Sequence, residues 1–594
     1  MLEGTWRELL AALRGGRLSV AASLLDRLDR LRFLLGIENL APRSTALIHM
    51  ARQALRNGDR DLMRAMLDDA ERLSPRLASV PYARFRLAIE GGDLDPGALM
   101  EHYRSGIRRQ MGQIITYLSA TSALFQAAVL AGILAALVIA LVLLYRTHMA
   151  LSADLAYWLR AIDQVPLGIF RVMVLLAALV PPALGAGATG TAACWLVMSA
   201  MYVTKRESAV LFVALAVLAV VPPLARSAAV RAAASRSTSL AAVVEARYGE
   251  PTKSLEAILE RRKIENPADT VSWFSFGMVA LKRRNLDAAR ESFSQVLQSR
   301  PAFWQAAANL AVVEALDGEP MKALELNERA MRDGGEARWL ALNRARILEL
   351  AGADQAEAAQ RAISAAQREL GPDNWSRWTR PVMGTGELKL LATFPLSDRH
   401  IWDFHESLAG DGSSVPALYA AFTGSEREAT LLVLLCAVVV LAIQLLRPRV
   451  GHSYVCESCG TWIRAREGQF LQSTSICSQC IAVLYRAETV EPMTLLKKRA
   501  EIKSWQRHKR RLWSFATFIA PGSGEMGRGR LAIGAVFLAV SSVLASFWVQ
   551  GGILTGDPWS LLKDPSAPFR VALITSGLLF YLAALWHFFD LEES

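Results

Sequence analysis

"LFQAAVLAGILAALVIALVLLY", residues 124–145, decides what kind of protein this chain forms. The stretch carries no charge, and Gln126 is its only polar residue before the closing tyrosine. At a rise of about 1.5 Å per residue, a helix of this length covers a bilayer core of roughly 30 Å. The sequence therefore predicts a membrane-spanning helix.

The composition of the whole chain agrees with a membrane protein. With 594 residues, 53% hydrophobic and 20% charged, the chain is too long for one core and too apolar for an ordinary soluble enzyme. The net charge of +11 would indicate a polyanionic partner in a soluble protein, but Lys and Arg also accumulate on cytoplasmic loops of membrane proteins. The start is an Arg-punctuated amphipathic helix without a signal-peptide core, so we expect a cytoplasmic N-terminus.

Further apolar segments divide the chain. Full-length spans are expected at about 187–203 and 208–225, whereas the piece at 172–186 is short and carries two prolines. The predicted organisation is an N-terminal helical region (1–120), a transmembrane bundle of three or four spans (121–225), a helical soluble region (226–428), one span (429–447), a cysteine-containing segment (448–490), a basic helix with a glycine turn (491–530) and a transmembrane hairpin (531–594).

"VSWFSFGMVALKRRNLDAARESFSQVLQSRP" (271–301) resembles the tetratricopeptide repeat, a helix-turn-helix unit of about 34 residues. The matching residues are Trp273, Phe276, Gly277, Ala289, Phe293 and Pro301. The pattern recurs more weakly one repeat length later, with Asn327 in the place of the second aromatic residue, and again around 342–370. Residues 47–75, with a break at 57–59, fit the same template, although any paired amphipathic helices partly satisfy it.

The resemblance implies a stack of helix pairs with a concave surface and no chemistry of its own. A docking groove for a protein partner is the preferred interpretation. A solenoid spacer without a specific ligand is the alternative.

Four of the six cysteines form two Cys-x-x-Cys pairs: Cys456, Cys459, Cys477 and Cys480. The seventeen residues between the pairs fall in the range typical of a structural Zn²⁺ site, and Gly460 follows the first pair as a tight knuckle requires. The segment resembles a zinc ribbon, with a short hairpin expected around Gly468. Ile481 departs from the glycine that many ribbons have after the second pair. A redox motif and two disulfides are less favoured, because no strand-helix-strand pattern is present and disulfides need an oxidising compartment.

Basic residues far outnumber acidic ones between 447 and 530, which favours a cytoplasmic location for the ribbon. The membrane is expected to be the inner membrane of a bacterium. An even number of crossings must then separate the ribbon from a cytoplasmic N-terminus. Discarding the 172–186 piece gives that number and places the repeats at 226–428 in the periplasm. The competing topology keeps the repeats cytoplasmic.

The helix at 495–513 is predicted to lie on the membrane surface and attract anionic lipid. Its cations are Lys497, Lys498, Lys503, Arg507, Lys509, Arg510 and Arg511. Nucleic-acid binding beside a zinc ribbon is the less favoured alternative, because membrane topology already explains these charges.

"FIAPGSGEMGRGRLAIG" (518–534) follows the basic helix and resembles the glycine turn that precedes transmembrane hairpins in many small bacterial membrane proteins. The turn residues are Pro521, Gly522, Gly524, Gly527 and Gly529, while Met526 departs from the usual aromatic residue. A phosphate loop is less favoured, because the Gly-Lys-Ser/Thr ending is missing. A tight turn followed by close helix packing is expected.

These features together predict a mainly α membrane protein with a small β zinc ribbon, similar to multi-pass bacterial repeat proteins. The expected function is a membrane-anchored scaffold that binds a protein partner, in the assembly or organisation of a cell-envelope complex. A regulator acting through the ribbon on nucleic acid or a signal, and a transporter or channel subunit, are the alternatives. Enzymatic activity is not expected, since neither His-Glu-x-x-His nor Gly-x-Ser-x-Gly occurs. The sequence does not indicate an oligomeric state.

Overall fold

The computed structural model of the chain describes residues 2–159, 165–334, 337–372, 375, 391–410, 426–450, 452–464, 476–486, 488, 490–550 and 566–593. Helices account for nearly all regular structure in these residues, which confirms the mainly α fold class. Two compact units are present: residues 1–119 and 233–412 belong to the first, and residues 120–232, 413–553 and 566–594 belong to the second.

The first unit contains the N-terminal helices and the repeat region. Its helices are α1 (Leu2–Arg14), α2 (Leu18–Leu34), α3 (Ala41–Arg56), α4 (Arg60–Leu73), α5 (Ser79–Glu90), α6 (Pro96–Met111), α11 (Thr238–Tyr248), α12 (Lys253–Glu265), α13 (Thr270–Lys282), α14 (Leu286–Ser299), α15 (Trp304–Asp317), α16 (Pro320–Arg332), α17 (Ala337–Leu350), α18 (Ala356–Leu370) and α19 (Asp398–Gly410).

The second unit contains the apolar helices and the cysteines. Its elements are α7 (Ile114–Trp158), α8 (Leu167–Ala183), α9 (Gly187–Ser199), α10 (Lys205–Ser235), α20 (Glu426–Leu446), β1 (Ser453–Val455), β2 (Trp462–Arg464), α21 (Ser478–Tyr485), α22 (Pro492–Ile519), α23 (Ser523–Gly527), α24 (Leu531–Gln550) and α25 (Ala567–Glu593).

Antiparallel helix pairs build the repeat region, with α13–α14, α15–α16 and α17–α18 as successive pairs. Asp269 caps α13 by accepting from Val271 N at 3.0 Å. A Cβ atom on Gly277 would lie 2.9 Å from the Phe293 ring, so glycine lets the helices of this pair meet closely. Phe293 is fully buried, and its ring meets Phe274 edge-on with 5.4 Å between centroids.

The N-terminal region packs against the repeat region within the same unit. The break predicted at 57–59 is confirmed, because α3 ends at Arg56 and Asp59 caps α4 by accepting from Leu62 N at 2.9 Å. The backbone N–H groups of Glu38 and Asn39 both donate to the Tyr248 carbonyl at 3.0 Å. Parts of the chain in such contact must lie on the same side of a membrane.

Five helices among the described residues are long and apolar enough to span a membrane: Ile114–Trp158, Lys205–Ser235, Arg427–Leu446, Leu531–Gln550 and Ala567–Asp590. The first of these has 45 residues, about 68 Å at the helical rise, and therefore extends well beyond a bilayer core. Leu167–Ala183 is a shorter apolar helix.

The segment expected to give a full span at about 187–203 does not form one. The helix there, α9, has only 13 residues and continues as a 3₁₀ turn, Ala200–Tyr202. At about 20 Å, it is shorter than a bilayer core. The Trp195 indole N–H donates to the Ala178 carbonyl at 2.8 Å, so α9 packs back along α8.

Helices α8 and α9 form a hairpin. The chain enters this hairpin near the C-terminal end of α7 and leaves it near that same end. Helix α8 begins shortly after the end of α7, and Tyr202, just beyond α9, donates to Asp154 near that same end at 3.0 Å. Two positive-φ glycines, Gly185 and Gly187, make the tight connection between the two short helices. The hairpin therefore does not add a crossing.

Length and composition give a count of candidate crossings among the described residues. Two span-length helices, α7 and α10, separate the N-terminal region from the repeats, and an even number agrees with their direct contact. A third, α20, separates the repeats from the cysteines. This differs from the sequence-based expectation, which placed the N-terminus and the ribbon on one side and used four crossings between them.

Cysteine labelling in intact cells tests this arrangement. We expect Asp61→Cys and Gln298→Cys, both exposed, to react alike with a membrane-impermeant thiol reagent. Gln506→Cys lies on the exposed side of α22. We expect it to be labelled in intact cells if the other two variants are not, and to be protected if they are labelled. The unsubstituted chain gives the background from its own cysteines. Different labelling of Asp61→Cys and Gln298→Cys would contradict the crossing number.

Candidate functional site

The four predicted cysteines come together in one buried cluster. Their sulfur atoms all lie within 4.8 Å of one another, and the Cys459 and Cys477 sulfurs are 3.7 Å apart. None forms a disulfide. Four thiolates at bonds of about 2.3 Å to a tetrahedral metal ion lie about 3.8 Å apart, so this donor set and spacing fit a metal ion.

The first cysteine pair sits in a β-hairpin. Strand β1 pairs antiparallel with β2, with Tyr454 opposite Ile463, and the intervening knuckle is closed by Gly460 N donating to Cys456 O at 2.9 Å. Gly460 has a φ of +76°, which favours glycine. The hairpin expected around Gly468 lies outside the described residues, and the observed strands instead flank the first knuckle.

The second cysteine pair begins helix α21. Cys477 is the N-cap of this helix, and its sulfur accepts from Cys480 N at 3.3 Å. A helical turn needs no left-handed backbone after the second cysteine, which explains why Ile481 can replace glycine. The helix start also directs backbone N–H groups toward thiolates.

The surroundings act on the thiols in both directions, and burial together with the neighbouring thiols raises the pKa of Cys477 and Cys480. Burial acts to raise the pKa of Cys459, but hydrogen bonds with Thr461 and with neighbouring cysteines bring it down to about 7. Lys498 is buried beside the cluster and pairs with Glu501 at 2.9 Å. Burial acts to lower the pKa of Lys498, but Glu501 and the thiols of Cys459 and Cys477 raise it overall. A lysine cation thus balances part of the negative charge that four thiolates carry.

A fully buried carboxylate, Asp154 of α7, fixes the cysteine hairpin to the helix bundle. Asp154 accepts hydrogen bonds from Ser453 N at 3.0 and 3.1 Å, from Ser453 Oγ at 2.7 Å and from the Tyr202 hydroxyl at 3.0 Å. The sequence analysis did not identify this residue. Its only sequence signal is an acidic residue close to the end of a long apolar helix.

The basic helix forms as expected in α22, but its cations divide into three groups. Lys498 packs beside the cysteines, and Lys509 is half-buried in a cavity. The exposed cations are Lys497, Lys503, Arg507, Arg510 and Arg511. Five of the seven cations are thus free of the protein interior, while contact of these five with the membrane surface stays a prediction.

The glycine turn is buried and closely packed. A Cβ atom on Gly522 would lie 2.1 Å from the Gly534 carbonyl oxygen, and the φ of Gly522 is +99°. Pro521, Gly524 and Gly527 are buried around it, while Gly529 is exposed. Glu525 in the same turn is buried, with His587 Nδ1 at 3.6 Å from its carboxylate.

The repeat residues named from the sequence take different positions. Phe276, Ala289 and Phe293 are buried, and Trp273 is half-buried with its indole N–H donating to Pro267 O at 2.9 Å. Pro301 is exposed at the end of its pair. Asn327 is fully buried where an aromatic residue was expected, and its amide donates to Leu340 O at 3.1 Å.

The groove along the first helices of the repeats holds a segment of the chain itself, residues 391–397. The side-chain amide of Asn309 on α15 donates to the Phe394 carbonyl at 2.7 Å. Its oxygen accepts from the Phe394 backbone N–H at 2.8 Å. Asn343 of α17 does the same with Ala392, at 2.9 and 2.7 Å. Both asparagines are fully buried. The sequence analysis missed this contact, although the 34-residue spacing of the two asparagines is a detectable signal.

No protein-family model matches this chain, and no curated protein matches it significantly.

Metal analysis tests the cysteine cluster. We expect the full-length chain, purified with a reductant, to carry about one metal ion, because four deprotonated thiols converge on one point. Cys459→Ser removes one of the four ligands, so its metal content should fall well below that of the parent chain. Cys436→Ser, outside the cluster, serves as the control and should keep the ion. Equal metal content in both variants would show that the cluster is not the site.

Asp154→Ala tests the attachment of the hairpin. The change leaves the Ser453 N–H and two hydroxyl groups without their acceptor, and we expect a loss of about 3 kcal/mol in the free energy of unfolding. The cluster cysteines should also react faster with a thiol reagent. Asp61→Ala, at a fully exposed carboxylate, should change stability by less than about 0.5 kcal/mol. An unchanged alkylation rate in Asp154→Ala would count against this role.

Proposed function

We propose that the chain is a membrane-anchored tetratricopeptide-repeat scaffold that docks an extended segment of a protein partner in its repeat groove. In this proposal a structural zinc ribbon stiffens the end of the membrane bundle to which Asp154 attaches it. The bacterial cytoplasmic membrane is the proposed location. The observation that carries the proposal is the pair of asparagines holding residues 392 and 394.

The chemistry of this contact suits peptide recognition. In an extended segment, the N–H and C=O groups of residues i and i+2 point to the same side. Asn309 and Asn343 each take both groups of one such residue, so they read the backbone without selecting its side chain. Backbone contacts supply affinity in this mode, and pockets for alternate side chains supply specificity.

The pockets beside the segment favour large apolar side chains. The Phe394 ring meets Trp304 edge-on, with 5.5 Å between centroids. Leu391 and Leu396 are also buried, whereas the intervening Thr393 faces Gly36 of the N-terminal region. The partner segment is therefore extended, apolar at the position of Phe394 and small at the position of Ala392.

Residues 391–397 act as the resident ligand of the groove in this proposal. The partner's segment would exchange with them and form the same four backbone hydrogen bonds. Ser275 supports a continuation of the pattern, because it lies one repeat length before Asn309 and its buried hydroxyl has no hydrogen-bond partner among the described residues. A bound segment can therefore gain a contact that residues 391–397 leave unused.

Charge and the number of span-length helices support the proposed sides of the membrane. The excess of Lys and Arg around the ribbon favours the cytoplasm, and a reducing compartment preserves thiolates for zinc. The repeats and the N-terminal region, one crossing away, then lie outside. Zinc is the proposed metal because four thiolates form a closed tetrahedral site, which leaves no position for catalysis.

A peptide-binding experiment tests the groove. In the test variant, a Gly-Ser stretch of the same length replaces residues 391–397 in the full chain. We expect a labelled peptide with the sequence of residues 391–400 to bind this variant saturably and the parent chain weakly, because the parent groove is filled. Fluorescence anisotropy in detergent measures both affinities.

Asparagine variants sharpen the experiment. Asn309→Ala or Asn343→Ala in the opened chain should each weaken peptide binding about tenfold or more, since two backbone hydrogen bonds are lost with each. Gln298→Ala, at an exposed position of α14, is the matched control and should bind normally. If the opened chain does not bind the peptide, or binds it equally without the asparagines, the docking proposal fails.

A further inference from the structure

A cavity of about 610 Å³ lies in the second unit, where the cysteine hairpin, helix α22 and the ends of the membrane helices meet. Its volume falls within the usual range for small-molecule sites, about 300–1,000 Å³. Neither the metal cluster nor the repeat groove requires such a cavity.

Positive charge dominates the lining. The cationic residues are Arg146, Arg447, Lys509 and Arg528, and the carboxylates are Glu207 and Glu457. With the histidines neutral, and with Cys456 of the lining counted as part of the metal cluster, two positive charges are in excess. Such an excess in a concave, half-buried place attracts an anion.

The Glu207 carboxylate is already used within the protein. It pairs with Arg146 at 2.7 Å and accepts from Thr204 N at 2.8 Å. Arg447 is held in place by donating to the Val203 carbonyl. The guanidinium groups are therefore positioned before any ligand arrives, which reduces the entropic cost of binding.

Lys509 is the cation of the lining for which the described residues supply no hydrogen bond or ion pair. Burial lowers its pKa, Glu457 acts in the opposite direction, and Arg146 and Arg528 lower the pKa further. Three like charges thus crowd one another, and a bound anion would relieve their repulsion.

Two further features favour an amphiphilic anion. Trp505 lines the cavity, and its buried indole N–H has no acceptor among the described residues. Tyr145 and Arg447, also in the lining, stand at the end of the uncharged stretch 124–145 and directly after the candidate span Arg427–Leu446. Aromatic and basic residues at such positions lie at the level of lipid headgroups. The cavity therefore has access to anions of the membrane surface.

We propose that this cavity binds a phosphate group through Lys509, Arg447 and Arg146. A phosphate offers several oxygen acceptors to guanidinium and ammonium donors, and its charge matches the excess in the lining. A phospholipid headgroup and a soluble phosphate are two sources of the same chemistry. The proposal does not depend on the peptide groove, since the two sites share no residues.

Thermal unfolding of the delipidated full-length chain in a neutral detergent tests the proposal. The probes are dihexanoyl phosphatidylglycerol, dihexanoylglycerol without phosphate, and inorganic phosphate. We expect a saturable rise in Tm with dihexanoyl phosphatidylglycerol and none with dihexanoylglycerol. A rise with inorganic phosphate as well supports the site with a soluble source, and a rise with the lipid alone supports it with the headgroup as source.

Variants identify the cavity as the place of binding. Lys509→Gln should weaken the phosphatidylglycerol effect about tenfold, because one charge-assisted hydrogen bond is lost. Lys503→Gln removes an exposed cation from the same helix and is the matched control. Arg447→Gln provides a second cavity variant, and an unchanged metal content shows that the hairpin remains folded. No saturable rise with either phosphate probe, or equal weakening in Lys503→Gln, would overturn the proposal.

Discussion

The buried carboxylate of Asp154 is the interaction on which the second unit depends. It lies on the longest helix, accepts from the first residue of the cysteine hairpin, and accepts from the hydroxyl that ends the short α8–α9 return. A buried carboxylate is stable only when hydrogen bonds replace its water. The hydrogen bonds to Asp154 hold the cysteine hairpin and the α8–α9 return at one end of the bundle. They thereby position the walls of the cationic cavity.

A second constraint comes from lipid. Every backbone group inside a bilayer core must be bonded within the protein, so only full-length helices cross. Helices α8 and α9 are each shorter than the span-length helices. They pack against each other, and the chain returns to the end of the bundle where α8 begins. This return leaves three span-length helices before the cysteines among the described residues, where four spans were expected. It also lets the N-terminal region and the repeats form one compact unit, which contacts such as Glu38 N to Tyr248 O require.

Local patterns were predictable from the sequence, and distant pairings were not. The cysteine spacing located the cluster, and Gly277 with Phe293 located a helix pair, because each pattern lies within about one repeat length. Asp154 and Ser453 are 299 positions apart, and Asn309 and Phe394 are 85 apart. Nothing in a single sequence links such residues. Lys498 was assigned to the surface because its charge suggested exposure, whereas the thiols that accommodate it inside become visible only in the fold.

The spacing of the two groove asparagines has a consequence for recognition. Asn309 and Asn343 lie 34 residues apart on the first helices of two successive repeats, and they hold residues 394 and 392, so one repeat corresponds to two residues of the segment in the groove. Side chains of an extended segment alternate between two faces with the same period. Inserting one residue in a bound segment would therefore turn the opposite face toward the helices. If the groove docks a partner segment as proposed, it would distinguish two peptides of identical composition by whether their apolar residues fall on odd or even positions.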